Sequence, residues 1–512
     1  MNYSGELINL SAIEKIVFQQ DDFDFSKSVS NEVARSFEFL QSFTKNRIIY
    51  GINTGFGPMA QYRVKEEDSG QLQLNLIRSH CTGTGKELPQ LYVRAAMLCR
   101  LISLLKACSG VHPYATELLN IYLNKGIYPV IFEHGSVGAS GDLVQLAHLA
   151  LGLIGEGEVY YQGEKVKTDK LLNELGINKL EMHIREGLAL INGTSVMTGI
   201  GLVNLVYAKR LFRWAVLASA MTNEAVNSCD DHYTMELNSK KMHKGQTMVA
   251  AQMCEILKES QLIRHRKKDY YEKQHTEEVF TEKVQEYYSL RCVPQILGAI
   301  ADTIAQAEQV VINEVNSSND NPVVDYKDQT VYHGGNFHGD YISLEMDKLK
   351  IAVIRISQLM ERQLNYLLNS KLNEKFPPFL NLGALGLNLG MQAMQFTATS
   401  TTAENQTLGF PNYIHSIPNN ADNQDIVSMG TNTALLTKQV IENSFEVIAI
   451  HFIAILQAFE YVNSKDKMSP TTRKYYETLR KIVPVFIEDT PKHEDIKRMK
   501  DFLMITENQL HL

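Results

Sequence analysis

Between Asp340 and Phe376 the chain reads DYISLEMDKLKIAVIRISQLMERQLNYLLNSKLNEKF, with neither Gly nor Pro to interrupt it. Apolar side chains recur at Leu349, Val353, Ile356, Met360, Leu364 and Leu367, a helical spacing sustained over many turns until Pro377 and Pro378 end it. A helix this long draws its stability from packing, so it needs neighbours of similar length. Comparable patterns occupy 196–226, 295–316 and 431–463. Strand-like alternation is sparse, with IIYGI (48–52), EVYYQGEKV (158–166) and TVYHG (330–334) as the candidates. The expectation is a mainly α fold built as an elongated bundle of long helices.

Glycine gathers in four places: INTGFGPMA (52–60), EHGSVGASGD (133–142), LINGTSVMTGIG (190–201) and HGGNFHGD (333–340). Turn residues concentrated between long helices point to loops converging on a site, because loops on a rigid scaffold commonly carry function. In the second cluster Gly135, Gly138 and Gly141 stand around Ser140, with the helical pattern LVQLAHLALGLIG directly behind. The nucleophile-elbow order GxSxG is absent, no GK[ST] follows, and no strand leads into a GxGxxG. What remains is a tight turn that delivers Asp142 as N-cap of the next helix. The free N–H groups and dipole there would polarise a carbonyl held against them.

Bulk properties narrow the function classes. The composition, 44% apolar and 21% charged, is that of an ordinary globular chain of several domain-sized units, and the net charge of -8 argues against nucleic acid or an anionic membrane as partner. Six cysteines, at 81, 99, 108, 229, 254 and 292, form no CxxC pair, which reads as reduced thiols in a cytoplasmic protein. The N-terminus lacks the basic start and apolar run of a signal peptide. The stretch VIAIHFIAILQAF (447–459) is too short to span a bilayer and carries His451 and Gln457, so it reads as a buried helix of a soluble protein. His333 and His338, and CDDH at 229–232, could suggest a metal, but without an HExxH or a Cys/His ladder none is expected.

The segment GSVGASGD resembles the Ala-Ser-Gly segment of the histidine, phenylalanine and tyrosine ammonia-lyase family. In that family the tripeptide cyclises and dehydrates by itself to 4-methylideneimidazol-5-one (MIO), an electrophile that needs neither metal nor PLP. Carried over, Ala139, Ser140 and Gly141 would form it, with the alkene carbon derived from Ser140. The glycines then have a reason, since the Gly141 nitrogen must approach the Ala139 carbonyl and bulky neighbours would obstruct it. The resemblance spans nearly the whole chain, with its motifs in the family's order. YGINTGFGP (50–58) matches the loop of a catalytic tyrosine, here Tyr50; LINGTSVMTG (190–199) supplies Asn192; QEYYSLRCVPQILG (285–298) contains Gln285, Tyr288 and Arg291; GGNFHG (334–339) contains Phe337.

The chemistry explains these residue types. Eliminating ammonia from an α-amino acid breaks a weakly acidic β C–H bond and expels a poor leaving group; an electrophile that captures the amine improves the leaving group. Tyr50 would take the β-proton. A free phenol titrates near ~10, so the site must favour the phenolate, with the helix dipole and Arg291 as sources. Arg291 has the planar fork suited to a carboxylate, and Tyr288, one turn earlier, can face the same side. Asn192 can donate to the electrophile's oxygen or to the substrate amine, while Gln285 and Phe337 match positions around the substrate.

Two positions bear on the substrate, and they disagree. The family's ring-recognition pair falls at Ser79-His80, as in histidine lyases, whereas the phenylalanine and tyrosine enzymes carry glutamine at the position of Gln424, where histidine lyases place glutamate. A bacterial tyrosine ammonia-lyase subgroup combines both and is similar over NTGFGPMAQYR, LIRSH and HGGNFHGDYISLEMDKLKI. The resemblance therefore implies L-tyrosine as substrate and 4-coumarate as product, with histidine, phenylalanine or a tyrosine 2,3-aminomutase as alternatives. It also implies a mixed N-terminal domain bearing MIO (1–200), a helix bundle (201–512) without a plant-type shielding domain, and a homotetramer whose active sites are shared between subunits. The aspartase/fumarase lyases have a similar helical architecture, but their GSS-x-MP-x-K-x-N loop is missing here.

Overall fold

The computed structural model describes residues 1–45, 47–272, 276, 278–280 and 283–507. Helix takes 59% of the chain and strand 7%, so the mainly α reading holds. The long helices are Ser195–Ala225, Val293–Val315, Asp340–Leu368 and Gly430–Val462, each within a few residues of its periodic stretch. In Asp340–Leu368 the six apolar positions from Leu349 to Leu367 that set the pattern are all fully buried. This helix stops earlier than Pro377 requires. Asn369 turns out of helical geometry and accepts the Lys371 N–H on its side chain, leaving Ser370–Asn373 as a separate turn of helix.

The chain forms two compact units, one made of Met1–Val206, Ala307–Asp347 and Pro411–Thr437, the other of Tyr207–Gln306, Lys348–Phe410 and Lys438–Leu512. Both are discontinuous, so a single cut near residue 200 does not describe them; four of the five divisions fall inside the long helices, one in each. Every named strand among the described residues belongs to the first unit. Where strand-like alternation was expected at 158–166, Glu158–Tyr161 and Glu164–Lys167 form an antiparallel hairpin, with Val159 opposite Val166, and Tyr128–Pro129 extends it. Val323–Asp325 pairs with Thr330–Tyr332, and Thr84–Glu87 with Phe132–His134.

Two readings are corrected. Residues 48–52 are not a strand: Asn53 Oδ1 takes the Ile49 N–H at 3.0 Å and Thr54 Oγ1 takes that of Gly51 at 3.1 Å, so side chains satisfy donors that a sheet ladder would use. Residues 447–459 lie in the C-terminal half of a 33-residue helix that is long and apolar enough to cross a membrane, with a window of mean hydropathy 1.6. That window is 78% buried inside the fold, which accounts for its composition.

Candidate active site

The turn at Ala139–Gly141 is gripped from several directions within the first unit. Ser136 Oγ caps the Leu143–Leu153 helix by accepting the Val144 N–H at 2.9 Å. The Gly138 carbonyl accepts both Ser428 Oγ, at 2.8 Å, and the Gly339 N–H, at 3.1 Å, and Val137 O accepts the Met429 N–H. Beyond the tripeptide the Asp142 N–H donates to Gly193 O at 2.7 Å. Two of the glycines are forced. A Cβ on Gly141, at φ +71, would lie 2.0 Å from the Gly193 carbonyl oxygen, and one on Gly138, at φ +77, would lie 2.1 Å from Ser428 Oγ.

Asp142 occupies the N-cap position of its helix, but its side chain does not cap it. The carboxylate instead accepts the N–H groups of Val196 and Met197, at 2.9 and 2.8 Å, and the Thr431 hydroxyl. It therefore caps Ser195–Ala225, the helix that follows the Asn192 loop. Burial pushes this carboxyl up to about 6, against the opposing pull of Thr431 and the two N–H groups.

Several of the loops expected near the tripeptide are linked to it, directly or through one another, by traceable contacts. Gln424 Nε2 donates to Ser140 Oγ at 2.9 Å. The Gln424 backbone pairs with Asn419 in both directions, and the neighbouring Asn420 side chain packs on Gly57. Gly57 in turn donates its N–H to the Tyr50 hydroxyl at 3.0 Å, with the Phe56 ring edge-on to Tyr50. Asn192 ends the Glu186–Ile191 helix; it is buried, and its Oδ1 has no hydrogen-bond partner among the described residues. Phe337 sits half-buried in the loop that brings the Gly339 N–H to Gly138. Ser79 and His80 end the Ser69–His80 helix, which packs on Leu143–Leu153 and Glu186–Ile191.

Gln73, on the buried face of the Ser69–His80 helix, was not singled out in the sequence. Its amide donates to Gly51 O at 3.2 Å and accepts the Leu188 N–H at 3.0 Å, tying the Tyr50 loop to the helix that ends in Asn192. A polar residue seven positions before His80, in register with an apolar stripe, is the one signal that could have exposed it. Ser428 and Thr431 were equally silent.

Gln285, Tyr288 and Arg291 belong to the second unit. There Arg291 donates to Gln285 Oε1, and its guanidinium carbon lies 4.7 Å from the centre of the Tyr288 ring, so the one-turn spacing brings the two together. Arg291 Nε is buried without a partner among the described residues, and a cavity of about 560 Å³ opens beside it, lined also by His232, Arg266, Gln285 and Gln295. The CDDH run is engaged otherwise: Asp230 meets His265, Asp231 meets Arg266, and His232 meets Asn223. Among the described residues no group of three or more His, Cys, Asp or Glu is placed to hold a metal.

These features suit a group formed from the chain at 139–141. The tripeptide lies in a cradle that Cβ atoms would fill, its hydroxyl is held by an amide, and Asn192 leaves a buried acceptor unsatisfied. Comparisons with known proteins agree. A family model described as aromatic amino acid lyase matches residues 8–481. A histidine ammonia-lyase of Staphylococcus saprophyticus is 38% identical over 506 residues, 98% of each chain. A MIO-dependent tyrosine 2,3-aminomutase of Streptomyces globisporus is 37% identical over 511 residues, 98% of this chain and 94% of that one. A crystal structure of a tyrosine aminomutase from the same organism superposes with a TM-score of 0.94 at 35% identity, covering 100% of both chains.

Proposed function

Because the chain belongs to the aromatic amino acid lyases, a family of MIO-dependent ammonia-lyases and aminomutases, we propose that it deaminates L-tyrosine to 4-coumarate and ammonia with MIO formed from Ala139, Ser140 and Gly141. The observation that carries the choice of tyrosine is the amide of Gln424, and the geometry at His80 is compatible with it. The His80 Nδ1 lies 2.9 Å from the Leu76 carbonyl, which can only accept, so Nδ1 donates there and Nε2 of a neutral ring would present a lone pair. A phenol O–H donates naturally to such a nitrogen. At position 424 a neutral amide replaces the carboxylate that would balance an imidazolium, which favours a phenol over a histidine side chain.

MIO, when formed, supplies an electrophile for the substrate amine. Around it the chain's own groups have separate tasks. Tyr50 takes the β-proton, with the Gly57 N–H steadying its oxygen. Asn192 presents its amide to the reacting end. Arg291, with an unpartnered Nε and a guanidinium already oriented by Gln285 and Tyr288, clasps the carboxylate. The same reading includes a cytoplasmic homotetramer with shared active sites; a monomer with full turnover in sedimentation and activity measurements would refute the assembly.

A second reading, histidine ammonia-lyase, is supported by Ser79-His80 and by the relative of that name; the aminomutase relative supports a third. Parallel assays with L-tyrosine, L-histidine and L-phenylalanine, following the ultraviolet band of each conjugated acid and β-tyrosine by chromatography, separate them. Coumarate should dominate. Preferential urocanate would replace tyrosine by histidine, and accumulating β-tyrosine would make the enzyme a mutase.

A further inference from the structure

We propose that Gln424 is a maturation residue, whose amide drives loss of the Ser140 hydroxyl as the tripeptide converts to its electrophilic form. The inference rests on the reading of Ala139–Gly141 as self-cyclising. Two waters must leave. In the first step the Gly141 nitrogen adds to the Ala139 carbonyl carbon, and that carbonyl oxygen departs with the protons of the Gly141 and Ser140 N–H groups. In the second the Ser140 Cα–H and Cβ–O bonds break, the Cα proton and the Oγ–H leave as water, and a Cα=Cβ double bond remains. No oxidant or reductant is required.

The second step needs a donor at Ser140 Oγ, because hydroxide leaves poorly unless a donor offsets the charge growing on its oxygen. Gln424 supplies that donor, with Nε2 at 2.9 Å from Ser140 Oγ. Its aim is fixed from both sides. The backbone of Gln424 exchanges hydrogen bonds with Asn419 at 3.2 and 3.3 Å, and four residues later Ser428 Oγ holds the Gly138 carbonyl at 2.8 Å. One segment therefore grips the chain before the tripeptide and the hydroxyl that has to leave it. Asp142, next to the tripeptide, is not available for this task, since its carboxylate is occupied by Val196, Met197 and Thr431.

The test follows intact mass in full-length chain collected at intervals after a short pulse of expression. Wild type should become lighter by two waters. Gln424→Met keeps the length of the side chain and removes the donor. It should lose the first water at the normal rate and the second on the order of a hundredfold more slowly, so a species lighter by one water accumulates. A general packing defect would slow both steps together and would overturn the proposal. Should Gln424→Met fail to fold, Gln424→Glu decides: its carboxyl donates only when protonated, so the second water should leave faster at acidic than at alkaline pH. Loss of both waters at the wild-type rate in Gln424→Met, or loss of the second water at one rate across pH in Gln424→Glu, refutes the role of Gln424. A wild-type chain that never becomes lighter refutes the MIO reading itself, a different result that needs no variant.

Discussion

Asp142 sets burial against hydrogen bonding at one carboxyl, and the structure says which wins. Two helix N–H groups and a hydroxyl favour the ionised form, yet burial raises the carboxyl from 3.8 to about 6. A shift of about two units corresponds to roughly 3 kcal/mol against the charged form in the fold. The sign follows from linkage: between pH 3.8 and about 6 the folded chain holds this proton more tightly than the unfolded chain. The stability so gained is complete below the lower value and is lost as pH rises through the upper one. Asp142→Asn keeps an oxygen for the Val196 and Met197 N–H groups but cannot ionise. Relative to the aspartate protein it should therefore gain about 3 kcal/mol as pH rises from about 4 to about 8. Building both on Ser140→Ala removes maturation as a variable. Thermal unfolding across pH, with amide exchange in the peptide containing Val196 and Met197, reads the difference. Parallel curves would mean that the carboxyl is not shifted. A gap closing in the aspartate's favour as pH rises would mean that the three donors outweigh burial.

Three further outcomes are expected. Tyr50→Phe removes the oxygen that accepts the Gly57 N–H; intact mass should still show loss of two waters while turnover falls by on the order of a hundredfold or more, and retained turnover would remove Tyr50 from the base role. Glu186 is buried with the His183 and His112 N–H groups at 2.8 and 3.0 Å, and burial pushes its carboxyl from 4.5 to about 8. Its contribution is therefore present at low pH and lost as pH rises through about 8, so Glu186→Gln should flatten the fall in unfolding temperature over that window. Gly138→Ala combines φ +77 with a Cβ only 2.1 Å from Ser428 Oγ, a destabilisation of about 2–3 kcal/mol from strain and the lost Ser428 bond; an unchanged unfolding midpoint would contradict the clamp on that carbonyl.

Legibility in this sequence followed the range of the interaction. The long helices could be read because their signal is local: Leu349 to Leu367 repeat at the spacing that buries one face, and all six positions are buried. The glycine clusters could be read because a forced turn leaves few residue choices. What sequence hid were choices of partner. Asp142 stands where a cap for its own helix belongs, and nothing local says that its oxygens serve Val196 and Met197 instead. Gln73 looks like a polar interruption until Gly51 and Leu188 are brought to it. The units escaped a linear cut because each is assembled from three stretches of chain. The same logic explains why residue identity alone left the ring end ambiguous. Ser79-His80 has one composition and two possible chemistries, depending on which imidazole nitrogen carries the proton. The Leu76 carbonyl decides that, by occupying Nδ1 from one turn earlier in the same helix. The proton position on His80 thus depends on a backbone oxygen that no motif contains.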